Sequence, residues 1–454
     1  MARTAKKEKA LTPEEKLAQA LVPDVEQPYR VPDNWCWTTV NCVSDVVTGG
    51  TPSKKHPEYY GDAFPFFKPS DLDAGRNVFD ASEYLSEAGK SISRIIPANS
   101  SAVCCIGSIG KCGFLMREGT TNQQINSAIP KITPLYLYYY FLTESFVNEL
   151  WSKASATTIS IVNKTKMEQC LFPLAPLAEQ QRIVDRIESL FTKLDEAKEK
   201  AQAVVDGFED RRAAILHKAF AGELTSEWRR LKNRSIEGWL QQSLKDCCDI
   251  GSGGTPSRKI PEYYDGDIPW IKTGEIDWNE IYDSEEHISQ NAVDNSSARV
   301  YPPGAVLVAM YGMGITRGRA AILKAEAATN QAVCVLQPKE YLLNRYLYYY
   351  FMCNYWDIRE QAVGGNQLNL SAAIISKFII SIPCIDEQIE IIRMLDSILG
   401  KEQQVNEAAE KVVDHIDAMK KSILALAFRG ELGTNDPADE NAEALLKRVL
   451  RQSV

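Results

Sequence analysis

No apolar run in the 454-residue sequence approaches the roughly 18–20 residues of a membrane span. The longest candidate, residues 373–384, is broken by Ser376, Lys377, Ser381 and Pro383. No membrane association is therefore expected. Histidine is scarce: His56, His217, His287 and His415 are scattered, and no Cys-x-x-Cys occurs, so no metal site and no cofactor are expected. The eleven cysteines include two adjacent pairs, Cys104-Cys105 and Cys247-Cys248, in apolar context. This usage predicts reduced thiols serving as small hydrophobes. The charged N-terminus lacks the apolar core of a secretion signal, so a cytoplasmic location is expected.

Catalytic signatures are missing too. There is no Gly-x-x-x-x-Gly-Lys-Ser/Thr loop for a nucleotide-driven motor. An adenine methyltransferase would carry Asn/Asp-Pro-Pro-Tyr/Phe, but the sole Pro-Pro is Pro302-Pro303, between Tyr301 and Gly304. "GSIGK" (107–111) lacks the spacing and the hydroxyl residue of a nucleotide loop. Carboxylate–lysine mixtures such as Glu196 and Lys198 fall on a stretch where a solvated helical face is expected anyway. No catalytic residue is assigned. The net charge of −9 argues against a chain that holds a polyanion by its own charge.

What the chain does have is itself, twice. "GGTPSKKHPEYY" begins at Gly49 and "GGTPSRKIPEYY" at Gly253. The repeat continues through "FPFFKPSDLD" (64–73) and "IPWIKTGEID" (268–277), then "TNQQ" (121–124) and "TNQA" (329–332). "YLYYYF" stands at 136–141 and 346–351, "LAEQQRIVDRI" (177–187) answers "IDEQIEIIRML" (385–395), and "ILHKAFAGEL" (215–224) answers "ILALAFRGEL" (423–432). Between these phrases, stretches such as 74–95 and 278–299 share little.

Each copy has two parts. The first is rich in Gly, Pro, Thr and aromatics and predicts mixed α/β structure with short strands. In the second, apolar positions fall at 183, 187, 190, 194, 197, 201, 204 and 208, and again at 391, 395, 398, 402, 405, 409, 412, 416, 419, 423 and 426, broken only by Glu402. The mean period of about 3.5 is that of a coiled-coil seam. The expected fold class is α+β: two similar mixed α/β heads joined by two long antiparallel coiled-coil helices, with approximate two-fold symmetry inside one chain. The expected segments are an N-terminal extension (1–31), a first head (32–177), a first long helix (178–232), a second head (233–385), a second long helix (386–432) and a helical tail (433–454). Within the extension, Thr12, Pro13 and Glu15 form the start of a short helix.

"GGTPS…YY…P…K" near each head's start, "TNQ" in mid-head, "EQ.RIV" opening the first long helix and "AF.GELT..WR" closing it resemble the specificity subunit of type I restriction–modification systems. The resemblance covers roughly residues 32–432. It implies that each head is a target recognition domain reading one part of a split, asymmetric sequence in double-stranded DNA. It further implies that the helices set the gap, that two DNA methyltransferase subunits bind the chain, and that motor-nuclease restriction subunits join them. The chain would then lend sequence choice to catalytic partners. Two other readings stay open: a coiled-coil scaffold with protein-binding heads, and an enzyme with cryptic motifs.

Hydroxyls and cations on a tight loop can hold phosphates. The DNA-binding candidates are Thr51, Ser53, Lys54, Lys55 and Lys68 with Lys111 in the first head. In the second they are Thr255, Ser257, Arg258, Lys259 and Lys272 with Arg317 and Arg319. A purely structural turn with solvated lysines is the competing reading of the loop. "TNQ" is common to both heads, and residues that read different sequences should differ, so internal hydrogen bonds are favoured there. The aromatic hexamers are expected in the core. Gly222 and Gly430 are expected to end helices. By the resemblance, Phe220, Gly222, Glu223, Phe428, Gly430 and Glu431 lie at a junction where partners dock.

Overall fold

A computed structural model of the chain describes residues 12–155, 160–312, 315–362 and 369–452. The first eleven residues of the extension and residues 156–159, 313–314, 363–368 and 453–454 lie outside the described residues. The chain divides into two compact units, one made of residues 1–201 and 411–454, the other of residues 202–410.

The first unit holds the first head. A four-stranded antiparallel sheet runs in the order Ser44–Thr48, Ile125–Pro130, Ser101–Cys104, Cys112–Phe114. A smaller sheet runs Tyr60–Gly61, Glu83–Leu85, Phe64–Phe67, Thr120–Thr121, its last pair parallel. The second unit repeats the larger sheet and the order of three strands of the smaller one. Its larger sheet is Cys248–Ser252, Val333–Pro338, Val306–Ala309, Ala320–Leu323, extended by Glu280–Ile281. The strand that this last one copies is reduced in the first head to a single parallel bridge, Val78 to Leu115.

Each head is pinched shut by a two-stranded antiparallel ribbon: Cys36–Thr39 with Leu171–Leu174, and Leu240–Ser243 with Ile379–Ile382. The long helices start directly afterwards, at Leu177 and Ile385. The aromatic hexamers lie on the helices Pro134–Phe141 and Asn344–Cys353, and all twelve residues are buried. Their tyrosines anchor the ribbon. Tyr136 and Tyr140 donate to the carbonyls of Pro173 and Leu171 at 2.8 and 2.9 Å. Tyr346 and Tyr350 do the same to Ser381 and Ile379 at 2.7 and 2.9 Å. A buried tyrosine needs a partner for its hydroxyl, and the repeated hexamer supplies two per head. Asn163 and Ser371 cap the short helices that precede the ribbons, accepting from the amides of Lys166 and Ile374.

The repeated Glu-Gln pair at the helix starts is buried. Gln180 and Gln388 accept from the amides of Thr133 and Leu343. Trp35 donates its indole N–H to Glu179 at 2.7 Å, and Trp239 donates to Glu387 at 3.1 Å. The two acids are satisfied differently. Glu387 meets Arg229 at 2.6 Å and the Thr225 hydroxyl at 2.8 Å. Glu179 accepts instead from Thr434 and Asn435, in the tail.

The first stretch is not one helix over 178–232. Helices Leu177–Asp206, Phe208–Phe220 and Ser226–Leu231 follow one another. Gly207 interrupts the first junction and Gly222, at φ +75°, the second. Gly222 and Gly430 (φ +74°) both end helices in the left-handed conformation. In each the next amide, Glu223 or Glu431, reaches back five residues to the carbonyl of Lys218 or Leu426. The second long helix, Ile385–Ala427, is unbroken over 43 residues, about 65 Å at 1.5 Å per residue. In the first unit Asp195 pairs with Lys420 and Lys198 with Asp417, so the two long helices run antiparallel there.

The seam of the second helix departs from the expected one. Ala409 and Ile416 are buried as expected, but Val405, Val412, Met419 and Leu426 are 51%, 44%, 49% and 39% exposed. Asn406 and Ala427 are buried, and Val413 is half-buried. Ile391 and Leu395 are also buried as expected, so the departure begins at Val405, where every second expected position turns outward. Arg211 meets Glu402 at 2.8 Å, and Lys420 meets Asp195, so the aliphatic stems of charged residues cover the seam.

The tail forms the helix Ala442–Gln452, which buries Leu445, Leu446 and Val449. It packs against the N-terminal helix Pro13–Ala20, with Lys447 2.6 Å from Glu14. Thr12 and Glu15 make the expected reciprocal cap.

Candidate nucleic-acid interface

The Gly-Gly-Thr-Pro loop is closed on itself by the residues that recur with it. Thr51 donates its hydroxyl to Gln123, and Thr255 to Gln331. Tyr60 donates to the Pro52 carbonyl at 2.6 Å and Tyr264 to that of Pro256 at 2.7 Å. Ser53 and Ser257 accept from the amides of Lys55 and Lys259. A Cβ on Gly49 would lie 2.2 Å from the Asn122 carbonyl oxygen, and one on Gly253 would lie 1.8 Å from that of Thr329. The first glycine is thus required by the "TNQ" strand end beneath it. Phrase and triplet form one structural unit, and the internal hydrogen-bond reading of "TNQ" agrees with this geometry.

With Thr, Ser and Tyr turned to the loop's own backbone and to Gln, the tip presents its cations. Lys54, Lys55, Arg258 and Lys259 are all exposed. Among the tip cations Arg258 meets Glu286 at 2.6 Å, and candidates outside the loop carry counter-charges as well. Lys68 meets Glu83, and Lys272 meets Glu286 at 2.9 Å. Glu83 and Glu286 occupy matching positions, opposite Phe66 and Trp270 on the adjacent strand. Lys111 meets Asp73 at 2.6 Å, and Arg319 meets Asp277. Lys111 and Arg319 each immediately precede the matching strand, so the second head substitutes arginine for the lysine of "GSIGK". Arg317 is half-buried, and its carbonyl accepts from Arg359.

Sequence reasoning found the cations and missed the acids. Asp73 and Asp277 were visible, since they end matching phrases. Glu83 and Glu286 lie in stretches that share too little to be aligned. The Glu286 carboxyl is held below its ordinary range, first by the hydrogen bond from Lys272 and then, against the cost of desolvation, by Arg258.

The partner-docking candidates divide. Phe428 is buried in the first head's core against Tyr136 and Tyr140, with ring centroids 5.0 and 5.1 Å apart. Phe220 packs on Tyr346 and Tyr350. Gly222 is buried too, its carbonyl accepting from Arg229. Glu223 and Glu431 are exposed.

A family model described as the type I restriction modification DNA specificity domain matches residues 32–205 and again 236–411. The chain belongs to this family. The two matched segments give it two DNA specificity domains. The type I restriction enzyme StySPI specificity subunit of Salmonella potsdam is 20% identical over 92% of this chain and 96% of its own length. The type I restriction enzyme EcoKI specificity subunit of Escherichia coli (strain K12) is 21% identical over the same shares. The MjaIX specificity subunit of Methanocaldococcus jannaschii is 32% identical over 38% of this chain, which spans 41% of that relative's length. The crystal structure of the HsdS subunit from Thermoanaerobacter tengcongensis matches with a TM-score of 0.66 at 18% identity, covering 90% of this chain and all of that one. That likeness places the chain in the same fold as this specificity-domain relative. Among the described residues no helix is long and apolar enough to cross a membrane, and no cluster of potential metal ligands occurs.

Proposed function

We propose that this chain is the DNA sequence-recognition subunit of a type I restriction–modification complex. Each head reads one part of a split target, and the long helices set the unspecified gap between the parts. The observation that carries the proposal is the double match to a DNA specificity domain, on two heads whose framework repeats while the stretches between the repeated phrases differ. Loop-tip cations Lys54, Lys55, Arg258 and Lys259 hold DNA phosphates. Lys68, Lys111, Lys272 and Arg319, each held in place by a carboxylate, and the half-buried Arg317 are further candidates for DNA contact.

The chain performs no chemistry of its own in this proposal and recruits methyltransferase and motor-nuclease subunits. The exposed row Val412, Met419 and Leu426, one residue per heptad, supports a docking surface for a partner's amphipathic helix. Exposed Glu223 and Glu431, each just past a helix-ending glycine, are separate docking candidates.

The test is a methylation map of genomic DNA from the host with and without the gene. A split adenine-methylated motif present only with the gene is the expected result. An unchanged map, with the partner methyltransferase expressed, would reject DNA specificity and favour the scaffold reading.

A further inference from the structure

In the second head one carboxylate holds two cations. Glu286 Oε2 lies 2.6 Å from Arg258 Nη2, and Glu286 Oε1 lies 2.9 Å from Lys272 Nζ. The Arg258 guanidinium lies 4.2 Å from the Tyr264 ring centroid and 5.2 Å from that of Trp270. Both rings are themselves fixed to the loop. Tyr264 donates to Pro256, and Trp270 donates its indole N–H to the Gly254 carbonyl at 3.0 Å. Arg258 is therefore oriented on three sides while its side chain stays 55% exposed. Of its five N–H donors, only one is used in the hydrogen bonds described.

The first head lacks this construction. Lys54 stands where Arg258 does, Phe66 has no N–H to give the loop, and Glu83 holds Lys68 alone. A lysine is a mobile point charge, whereas a stacked guanidinium is a pre-oriented fork for a phosphate.

We propose that Glu286 is a positioning residue that assembles Arg258 and Lys272 into one pre-organised site for a DNA backbone phosphate, present in the second head and not in the first. This rests on the DNA-recognition reading above. It makes the second head the one that fixes register on the duplex, since its anion contact is rigid, and leaves the first head adaptable through Lys54 and Lys55.

The sign of one mutant effect separates this from simple charge neutralisation. Removing a negative charge beside DNA ordinarily tightens binding. Here Glu286→Gln should weaken it, because Arg258 and Lys272 lose their common anchor. The full chain is titrated by fluorescence anisotropy with a random-sequence duplex of about 40 base pairs at about 20–100 mM salt, where even weak phosphate-driven binding is measurable. Arg258→Ala and Lys272→Ala are expected to lower the salt slope by about one, the signature of one lost phosphate contact. Glu286→Gln is expected to lower affinity about fivefold with a shallower slope. Tighter or unchanged binding by Glu286→Gln would overturn the inference while leaving the DNA-recognition reading intact. A wild-type chain that binds no duplex even at the lowest salt would overturn the site, while recognition by the assembled complex is decided separately by the methylation map. Should Glu286→Gln melt early, Arg258→Lys, which keeps the charge and loses the stacked fork, decides instead: weaker binding supports the site, and equal binding overturns it.

Discussion

Glu387 shows how one side chain can hold a head to its helix. It is 2% exposed, and its two oxygens take an indole from Trp239 and a hydroxyl and a guanidinium from Thr225 and Arg229 at the start of one short helix. Truncation to alanine would leave Arg229 buried without a counter-ion, which costs about 3–5 kcal/mol. Urea unfolding of Glu387→Ala followed by tryptophan fluorescence should show a loss of that size in the second unit. The sequence already displayed this residue in the repeated Glu-Gln pair, but not its partners, which lie about 150–160 positions away. The same holds at the loop tips. Lysines and arginines were legible there because the Gly-Gly-Thr-Pro phrase recurs with cations at the same two positions in both heads. Glu286 was not, because no spacing rule connects it to Arg258 and only the sheet register brings them together.

At the scale of elements, the repeat made the heads, the aromatic helices and the helix-ending glycines readable in advance. The break at Gly207 and the departure of the seam were not. A 3.5-residue apolar period fixes a stripe but not which of its positions face inward when ion pairs such as Arg211–Glu402 enter the seam. The misplaced stripe, Val412 to Leu426, is left on the outside, and that is its interest. The double substitution Val412→Asp with Met419→Asp should leave thermal melting within about 0.5 kcal/mol of wild type, as for ordinary surface positions. It should abolish co-purification with the methyltransferase subunit. Retained co-purification would move the docking surface elsewhere.

For the whole molecule, the first unit is assembled from both ends of the chain and the second from a single continuous stretch. The end of the second long helix supplies Leu424, Ala427 and Phe428 to the first head's core, and the tail supplies Thr434 and Asn435 to Glu179. Removing residues 411–454 should therefore leave the second head resistant to limited proteolysis and the first head rapidly cleaved. Equal protection of both heads would show that the tail is dispensable to the first.

This arrangement sets an order of events at the ribosome. Residues 202–410 have everything their core requires while the chain is still being made. The first head to be synthesised is finished after the second, because it waits for residues 411–454 to emerge. A message cut short just after residue 410 would yield a product with one sound reader and one unfinished one. Such a product could not complete a split target, so interrupted synthesis would give an inactive subunit rather than one with relaxed sequence choice.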